Sequence, residues 1–227
     1  MTFVGIQKFT LLDYPSKIAC TVFSPGCNFR CPFCHNSEVV DLNRNQGAIS
    51  EEEVLNFLKT RQGLIEGVCF TGGEPTLQSG LEDFIKKVKD LGFLIKLDTN
   101  GEKPETLKKL LNEDLLDYVA MDVKNSLKSY GKTIGIQNFS TKNIEKSIRI
   151  LLNSDIDYEF RTTVVKEFHA KEDFMDIMPL LNGAKLWRLQ EFRLSDTCFN
   201  KNLHSIKSDE LKTMINGNLG IKTIQLY

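Results

Sequence analysis

The sequence predicts an α/β fold, namely an open (β/α)6 partial TIM-like barrel of parallel strands with helices outside, plus a short C-terminal helix and strand. Strand-like apolar runs alternate with helical patterns, which is typical of a parallel sheet with crossover helices. Six such units are too few to close an eight-stranded barrel, so the sheet should stay open. The strand-like runs lie at residues 18–24, 67–70, 93–98, 117–122, 158–165 and 186–192. A last helix and strand are predicted at 208–214 and 221–226.

The helical stretches carry start and stop signals. Ser50 with Glu53 three residues later predicts a capping box before an apolar periodic stretch, and Ser79 with Glu82 predicts a second one. Gly92 is placed to end the second of these helices, because glycine readily adopts the left-handed conformation that often follows a helix. The signals therefore predict where two of the crossover helices begin and where one of them ends.

Length and composition limit the classes of function. The 227 residues predict one domain over 1–227, with a core at about 18–193 and a C-terminal extension at 194–227. A net charge of −1 gives no support for nucleic-acid binding. No run approaches the ~20 apolar residues that span a bilayer, and the N-terminus lacks the features of a signal peptide. We therefore expect a cytoplasmic protein that binds neither nucleic acid nor membrane.

Three cysteines lie in one short loop after the first predicted strand. Cys27, Cys31 and Cys34 are separated by three residues and then by two. A [4Fe–4S] cluster normally takes one thiolate per iron, so three thiolates can hold three corners and leave one iron open. An open position on a metal is typical of a catalytic site, whereas closed sites are structural. A zinc site with His35 as the fourth ligand, or a chance cluster of thiols, is an alternative.

The other three cysteines are scattered along the chain. Cys20 and Cys69 lie in strand-like apolar runs, which predicts free, buried thiols that act as small hydrophobic side chains. Disulfides are not expected in the cytoplasm. Cys198 lies in a polar C-terminal stretch, and its sequence context assigns it no role.

Polar motifs follow the predicted strands, as expected for a site at the carboxyl ends of barrel strands. The segment at residues 71–75, which contains Gly72, Gly73 and Glu74, comes directly after the second strand. The two glycines allow a close approach of the backbone to a ligand, and Glu74 could hold an ammonium group. A tight turn is the alternative reading of the same residues.

Charged residues recur on the next three strands. Asp98 ends the third strand and could bind a ribose hydroxyl or a cation. Asp122 and Lys124 are alternate residues and so project to the same face, although a surface ion pair would give the same pattern. Arg161 lies within the fifth strand, where an arginine needs an anionic partner. Because charged residues recur at apolar strands, the pattern favours a ligand-binding site over surface ion pairs.

The histidines are weaker candidates. His35 and Asn36 follow the last cysteine of the loop directly, and taken alone they read as ordinary loop residues. His169 and His204 lie on loop or tail stretches, where surface roles are expected.

Together the motifs resemble those of a known superfamily. The Cys-x3-Cys-x2-Cys spacing, with Phe33 just before the last cysteine, resembles the signature loop of the radical S-adenosylmethionine (SAM) superfamily. The Gly-Gly-Glu element at 72–74 resembles that family's contact with the SAM amino group. The Cys-His-Asn sequence at 34–36 resembles the group that activates glycyl-radical enzymes. Segments 9–15, 97–101, 120–124 and 158–165 are similar to the activating proteins of anaerobic ribonucleoside-triphosphate reductase, and the chain is also similar to pyruvate formate-lyase activating enzymes.

The resemblance implies a set of cofactor ligands. It implies that Cys27, Cys31 and Cys34 bind a [4Fe–4S] cluster, and that aspartates at 98 and 122 can form a monovalent-cation site. One departure is that Gln190 and Glu191 stand where a relative has a SAM-contacting histidine. The implied SAM-binding residues are Phe33, His35, Asn36, Gly72, Gly73, Glu74, Asp98, Asp122, Lys124 and Arg161.

The resemblance also implies a reaction and its partners. Reductive cleavage of SAM gives a 5′-deoxyadenosyl radical, which would take a hydrogen from a glycine of anaerobic ribonucleoside-triphosphate reductase. The electron would come from a low-potential donor such as flavodoxin or ferredoxin, and no side chain is required as an acid or base. Alternatives are the activation of another glycyl-radical enzyme, or a radical SAM reaction on a small molecule, as in 7-carboxy-7-deazaguanine synthases. A metal-holding binding module without SAM chemistry is the alternative from another class.

Overall fold

The computed structural model describes residues 1–41, 48–215 and 221–226. The chain forms two compact units. The strand β7 (Tyr118–Asp122) contributes residues to both units. The prediction of one domain over the whole chain stays a prediction. The first unit is Met1–Asn28, Glu38–Thr99 and Glu105–Ala120, and the second is Phe29–Ser37, Asn100–Pro104 and Met121–Tyr227.

The first unit is built on a mainly parallel sheet. Its strands are β1 (Thr2–Phe3), β2 (Gly5–Thr10), β3 (Ala19–Ser24), β4 (Ile49–Ser50), β5 (Gly67–Gly72) and β6 (Leu94–Thr99). Strands β3, β5 and β6 are neighbours and run parallel, while β2 runs antiparallel beside β3. The short strands β1 and β4 pair separately. The central side chains of β3, β5 and β6 are buried, as their apolar sequences require.

The second unit contains three further parallel strands. They are β8 (Asp157–Val164), β9 (Trp187–Glu191) and β10 (Ile224–Leu226), in that spatial order. Trp187, at the start of β9, is completely buried, and its indole N–H donates to the Thr162 hydroxyl at 3.0 Å. This bond satisfies the polar end of the largest side chain in the core.

The helices lie between the strands in sequence, as predicted. They are α1 (Ser37–Val40), α2 (Glu51–Lys59), α3 (Leu81–Asp90), α4 (Pro104–Asn112), α5 (Tyr130–Thr133), α6 (Lys142–Leu152), α7 (Lys171–Leu180) and α8 (Ser208–Met214). Helix α8 has the predicted bounds. The predicted capping box of α2 is confirmed, because Glu53 N–H donates to the Ser50 hydroxyl at 3.2 Å and Ser50 N–H donates to Glu53 at 2.8 Å.

The second predicted capping box is wrong. Helix α3 starts at Leu81, and the residue before it, Gly80, is left-handed with φ of 84°. A 3-10 turn at Pro75–Leu77 lies between β5 and the helix. After this turn the residue at the N-cap position is the left-handed Gly80, and Ser79 does not cap the helix. The predicted end of α3 is confirmed, because Gly92 follows it with φ of 89°.

All six predicted strands are present, each within two residues of its predicted bounds at either end. The last predicted strand is shorter than expected, since β10 begins at Ile224. Strands β1, β2 and β4 were not predicted. Within residues 1–41, 48–215 and 221–226, no helix is both long enough and apolar enough to cross a membrane.

Candidate active site

The predicted motifs lie at the carboxyl ends of strands, with one exception. The cysteine loop follows β3, and Gly72 is the last residue of β5. Asp98 is the penultimate residue of β6, and Asp122 is the last residue of β7. Arg161 instead lies in the middle of β8. The structure therefore confirms the expected placement for the cysteine loop and for the motifs at the ends of β5, β6 and β7.

The two glycines after β5 are required by a close approach between backbones. Gly73 N–H donates to the Ser24 carbonyl at 2.9 Å, and Glu74 N–H donates to the Gly26 carbonyl at 2.8 Å. A Cβ atom on Gly72 would collide with the backbone of Ser24, and one on Gly73 would collide with the carbonyl of Gly26. Gly72 also has φ of 111°, which side chains disfavour. The pair thus packs against the segment that leads into Cys27.

Glu74 is a buried carboxylate with a defined orientation. Its side chain lies almost completely out of solvent. Thr76 donates to its Oε1 through both the backbone N–H, at 3.1 Å, and the hydroxyl, and the Thr99 hydroxyl donates to the same oxygen at 2.7 Å. Charge-assisted bonds of this kind fix a carboxylate in place. The Glu74 carboxylate is therefore held in one orientation just after β5.

Asp98 is paired with a lysine that the sequence analysis did not single out. Lys96 Nζ forms an ion pair with Asp98 Oδ1, and the lysine side chain is only 2% exposed. The ammonium also lies 5.9 Å from the centre of the Tyr118 ring. The sequence offered one signal for this pair. Lys96 stands two positions before Asp98 in an apolar strand, and alternate residues of a strand project to the same face.

The second half of the cysteine loop belongs to the second unit. Cys34 N–H donates to the Cys31 carbonyl at 3.0 Å, which closes a turn between the two thiols. Phe33, which lies within this turn, packs against Phe168 and Phe192, with ring centroids 5.8 and 6.5 Å away. The aromatic residue before the last cysteine therefore anchors the turn in the apolar core.

The same loop is tied to residues 192–200, at the start of the C-terminal extension. The ring of His35 stacks on Phe192, with centroids 5.7 Å apart and planes 9° from parallel. Three hydrogen bonds, all accepted by backbone carbonyls, join the loop and this segment. They run from His35 Nε2 to Arg193 at 2.6 Å, from the Ser37 hydroxyl to Thr197, and from Asn200 N–H to Pro32 at 2.9 Å. These contacts join residues far apart in the chain, and no sequence pattern predicts them.

Asp122, Lys124 and Arg161 form a charged cluster in the second unit. Lys124 Nζ lies 2.8 Å from Asp122 Oδ2, and Arg161 Nε lies 3.0 Å from Asp122 Oδ1. Burial disfavours the ionised carboxylate, but the charges of Arg161 and Lys124 outweigh it and lower the pKa of Asp122 to about 2. Burial likewise opposes the Lys124 charge, yet the nearby Asp122 and Cys31 raise the pKa of this lysine. The ion pair is partly buried, and one carboxylate holds two cations.

The prediction of a surface role for His169 is wrong. Its ring is buried, the Val165 N–H donates to Nδ1 at 3.1 Å, and Nε2–H donates to the Lys124 carbonyl at 2.9 Å. Burial lowers the pKa of His169, so the ring is neutral and holds the backbone at Lys124. His204 is exposed and bonds Glu167 at 2.7 Å, which confirms a surface role there.

The remaining cysteines are free and buried, as expected for Cys20 and Cys69. Burial raises the pKa of the Cys20 thiol to about 12. Cys198 is also buried, and its sulfur lies 3.5 Å from the Ser195 hydroxyl oxygen. These three thiols are therefore held in the protein interior.

Comparison with known proteins identifies the family. Residues 21–181 match the family model of the Radical SAM superfamily. The chain is 31% identical over 216 residues to a protein of Methanocaldococcus jannaschii that is named, provisionally, as a glycyl-radical enzyme activating enzyme; the match covers 92% of this chain and 88% of that one. It is 25% identical over 219 residues to 7-carboxy-7-deazaguanine synthase of Clostridium acetobutylicum, covering 91% of this chain and 96% of that one.

A solved structure shows the same fold. The crystal structure of a domain of pyruvate-formate lyase-activating enzyme from Bacteroides vulgatus has a TM-score of 0.56 at 17% identity, and the match covers 71% of this chain and 99% of that one. The predicted fold class is thereby confirmed. Since the family model spans most of the sequence, this chain belongs to the radical SAM superfamily and is a radical SAM enzyme.

Membership implies a [4Fe–4S] cluster and SAM, and the chemistry of the loop fits the cluster. Cys27 and Cys34 are partly exposed, and Cys31 is buried. Burial raises the pKa of Cys34, while the Asn36 N–H and the Lys124 charge oppose that rise. Within the described residues, His, Cys, Asp and Glu side chains form no group of three already arranged for a metal. Ligation by the three cysteines therefore stays a prediction.

Proposed function

We propose that this chain is a cytoplasmic activating enzyme for a glycyl-radical enzyme, with anaerobic ribonucleoside-triphosphate reductase as its partner. The observation that carries the proposal is the 31% identity to a provisionally named activating enzyme over 92% of this chain. The choice of reductase is supported by the sequence resemblance in segments 9–15, 97–101, 120–124 and 158–165. The Cys-His-Asn sequence at 34–36 supports the same class.

In this proposal Cys27, Cys31 and Cys34 would hold a [4Fe–4S] cluster, and an iron without a protein ligand would be available to SAM. The bound cofactors would supply reductive cleavage of SAM with an electron from flavodoxin or ferredoxin, and the hydrogen atom would be taken from a glycine Cα of the partner. The chain's own residues bind the cofactors, orient them and exclude competing reactions. We assign no side chain as a catalytic acid or base.

Glu74 is proposed to bind the amino group of SAM. Its Oε1 is already fixed by Thr76 and Thr99, so the side chain loses little conformational entropy when a ligand binds. Gly72 and Gly73 would contribute backbone groups at the same position. Replacing Glu74 would therefore weaken SAM binding without removing the cluster.

The cysteine loop is proposed to bind the adenine end of SAM through backbone groups near Phe33, His35 and Asn36. This backbone is held in place from two sides, because Phe33 packs into the core and His35 donates to the Arg193 carbonyl at 2.6 Å. The order in the loop supports the proposal, since a site that is rigid before binding loses less entropy when the ligand arrives.

The charged residues of β6, β7 and β8 are proposed to bind the ribose and methionine parts of SAM. Asp98 would accept from ribose hydroxyls, and Asp122 would set the positions of Lys124 and Arg161. Arg161 is the candidate for the SAM carboxylate. Its Nε donates to Asp122 at 3.0 Å, which holds the guanidinium in place, and the planar guanidinium matches the geometry of a carboxylate.

A second candidate function is a radical SAM reaction on a small molecule. The 25% identity to 7-carboxy-7-deazaguanine synthase over 91% of this chain favours it. The two functions differ in whether the hydrogen donor is a protein glycine or a free metabolite. A metal-holding module without SAM chemistry is disfavoured by the family match.

The test uses anaerobically reconstituted protein with SAM and a low-potential reductant. Formation of 5′-deoxyadenosine measures SAM cleavage, and electron paramagnetic resonance then detects a glycyl radical on added anaerobic ribonucleoside-triphosphate reductase. The matched control is the Cys34→Ala variant, which should give neither product. A glycyl radical on another glycyl-radical enzyme alone would change the partner, and turnover of a free metabolite without any partner protein would overturn the proposal.

A further inference from the structure

The aspartate at the end of β6 has a cationic partner from its own strand. Lys96 precedes Asp98 by two residues, so both side chains project to one face. The Lys96 ammonium contacts Asp98 Oδ1, and the two side chains are only 2% and 15% exposed. The Tyr118 ring, 5.9 Å from the ammonium, faces it as well. The Lys96 ammonium therefore provides a positive charge beside the Asp98 carboxylate.

The aspartate at the end of β7 is also compensated within its own unit. Lys124 Nζ lies 2.8 Å from one carboxylate oxygen of Asp122, and Arg161 Nε lies 3.0 Å from the other. Hard cations such as sodium and potassium require oxygen ligands, and an ammonium at the same carboxylate repels them. Each aspartate that the family resemblance assigns to a cation site thus already carries side-chain cations.

We propose that the Lys96 ammonium takes the place of a dissociable monovalent cation at Asp98, so that SAM binding by this chain does not depend on sodium or potassium. The proposal rests on the proposed SAM site. Lys96 is a positioning residue, because it holds the Asp98 carboxylate that would contact SAM. The residues do not fit the monovalent-cation site that the family resemblance implies.

The first test compares the wild-type holoenzyme in potassium, sodium and choline chloride at a constant ionic strength of about 0.1 M, where screening is equal. The dissociation constant of SAM, measured by equilibrium dialysis, should change by less than about twofold, well under the tenfold that marks a lost interaction. Choline is too large to enter an inorganic cation site. A loss of about tenfold or more in choline would overturn the proposal.

Two variants separate the charge of Lys96 from the space it fills. Lys96→Ala removes the ammonium and opens room beside Asp98, so SAM affinity should fall in choline and recover about tenfold in potassium. Lys96→Met removes the charge but fills most of the space, so its weakened affinity should not recover. If Lys96 had only a structural role, both substitutions would weaken SAM binding equally in every salt. That result would count against the proposal. Circular dichroism checks that each variant folds.

A direct measurement of cation binding is independent of SAM chemistry. Thallium(I), used as a potassium probe and followed by thallium NMR on the full chain, should bind Lys96→Ala at this position and should not bind the wild type there. Potassium should raise the unfolding temperature of Lys96→Ala alone, since a ligand that binds only the native state stabilises it. Thallium binding by the wild type that the Asp98→Asn substitution abolishes would overturn this proposal even if SAM is cleaved. Failure to cleave SAM in every salt would instead overturn the proposed function.

Discussion

Cys34 in the loop and Cys69 in β5 have similar charges nearby but differ in where the backbone places them. Lys124 and Asp122 act on Cys34, and Lys96 and Asp98 act on Cys69. Burial raises the pKa of both thiols. Cys69, however, is completely buried within a strand that is paired on both sides, whereas Cys34 is partly exposed on a turn.

A neighbouring lysine therefore does not distinguish the two thiols, whereas exposure and backbone position do. A ligand must also be reachable and must lie on backbone that presents several thiols together. Cys34 meets the first requirement because it is partly exposed, and the spacing of the loop cysteines predicts that the loop meets the second. The strand meets neither, so the thiol at Cys69 acts as a small apolar side chain.

The largest effect should come from removing a loop thiol. Cys34→Ala is expected to reduce bound iron from about four per chain to near background after anaerobic reconstitution, because the cluster loses one of its ligands. Formation of 5′-deoxyadenosine should stop as well. Iron and sulfide analysis measures the change, and far-ultraviolet circular dichroism should show an intact fold. Cys69→Ala is the matched control, and equal iron content in the two variants would contradict our distinction between the two sites.

The next effect concerns thiol reactivity in the protein before cluster loading. Cys34 should react with iodoacetamide at least about 100-fold faster than Cys69, because a buried thiol reacts only after local opening, and an opening cost of ~3 kcal/mol gives that factor. Mass spectrometry of tryptic peptides over time measures both rates. In urea the two rates should converge. Equal rates under native conditions would contradict the burial of Cys69 within β5.

A smaller effect tests the charges beside Cys34. The pKa of Asp122 is lowered to about 2 from its ordinary value, so this carboxylate binds a proton more weakly in the native state. Its contribution, about 2 kcal/mol by linkage, is fully present above pH ~4 and is lost as the pH falls through about 2. Urea unfolding of Asp122→Asn between those pH values should show a flatter loss of stability than the wild type. Asp157→Asn, at an exposed position of β8, is the control. A variant curve parallel to that of the wild type would contradict the assignment.

The smallest effect should come from the strand thiols themselves. Cys69→Ala removes one buried sulfur atom, and the expected loss in the free energy of unfolding is about 1 kcal/mol. Cys20→Ala should behave in the same way, because that side chain is equally buried. Chemical denaturation measures the loss. A loss of iron in either variant would show that the strand thiols take part in cofactor binding.

Several features could be predicted from the sequence because they depend on neighbouring residues. Apolar runs located the strands, and Ser50 with Glu53 located the start of α2. The same reasoning failed at Ser79, where the 3-10 turn at Pro75–Leu77 alters the entry of the chain into α3. The burial of His169 was also missed, since a single histidine in a loop carries no periodicity that reports its depth.

The alternation of strands and helices, the spacing of the loop cysteines and the position of polar residues at strand ends can be read from the sequence, because each depends on residues close together in the chain. Which charged side chains meet depends on tertiary packing. Arg161 reaches Asp122 across 39 residues, and the loop residue His35 reaches the Arg193 carbonyl across 158. Such contacts depend on where whole elements pack, and local preferences do not encode that.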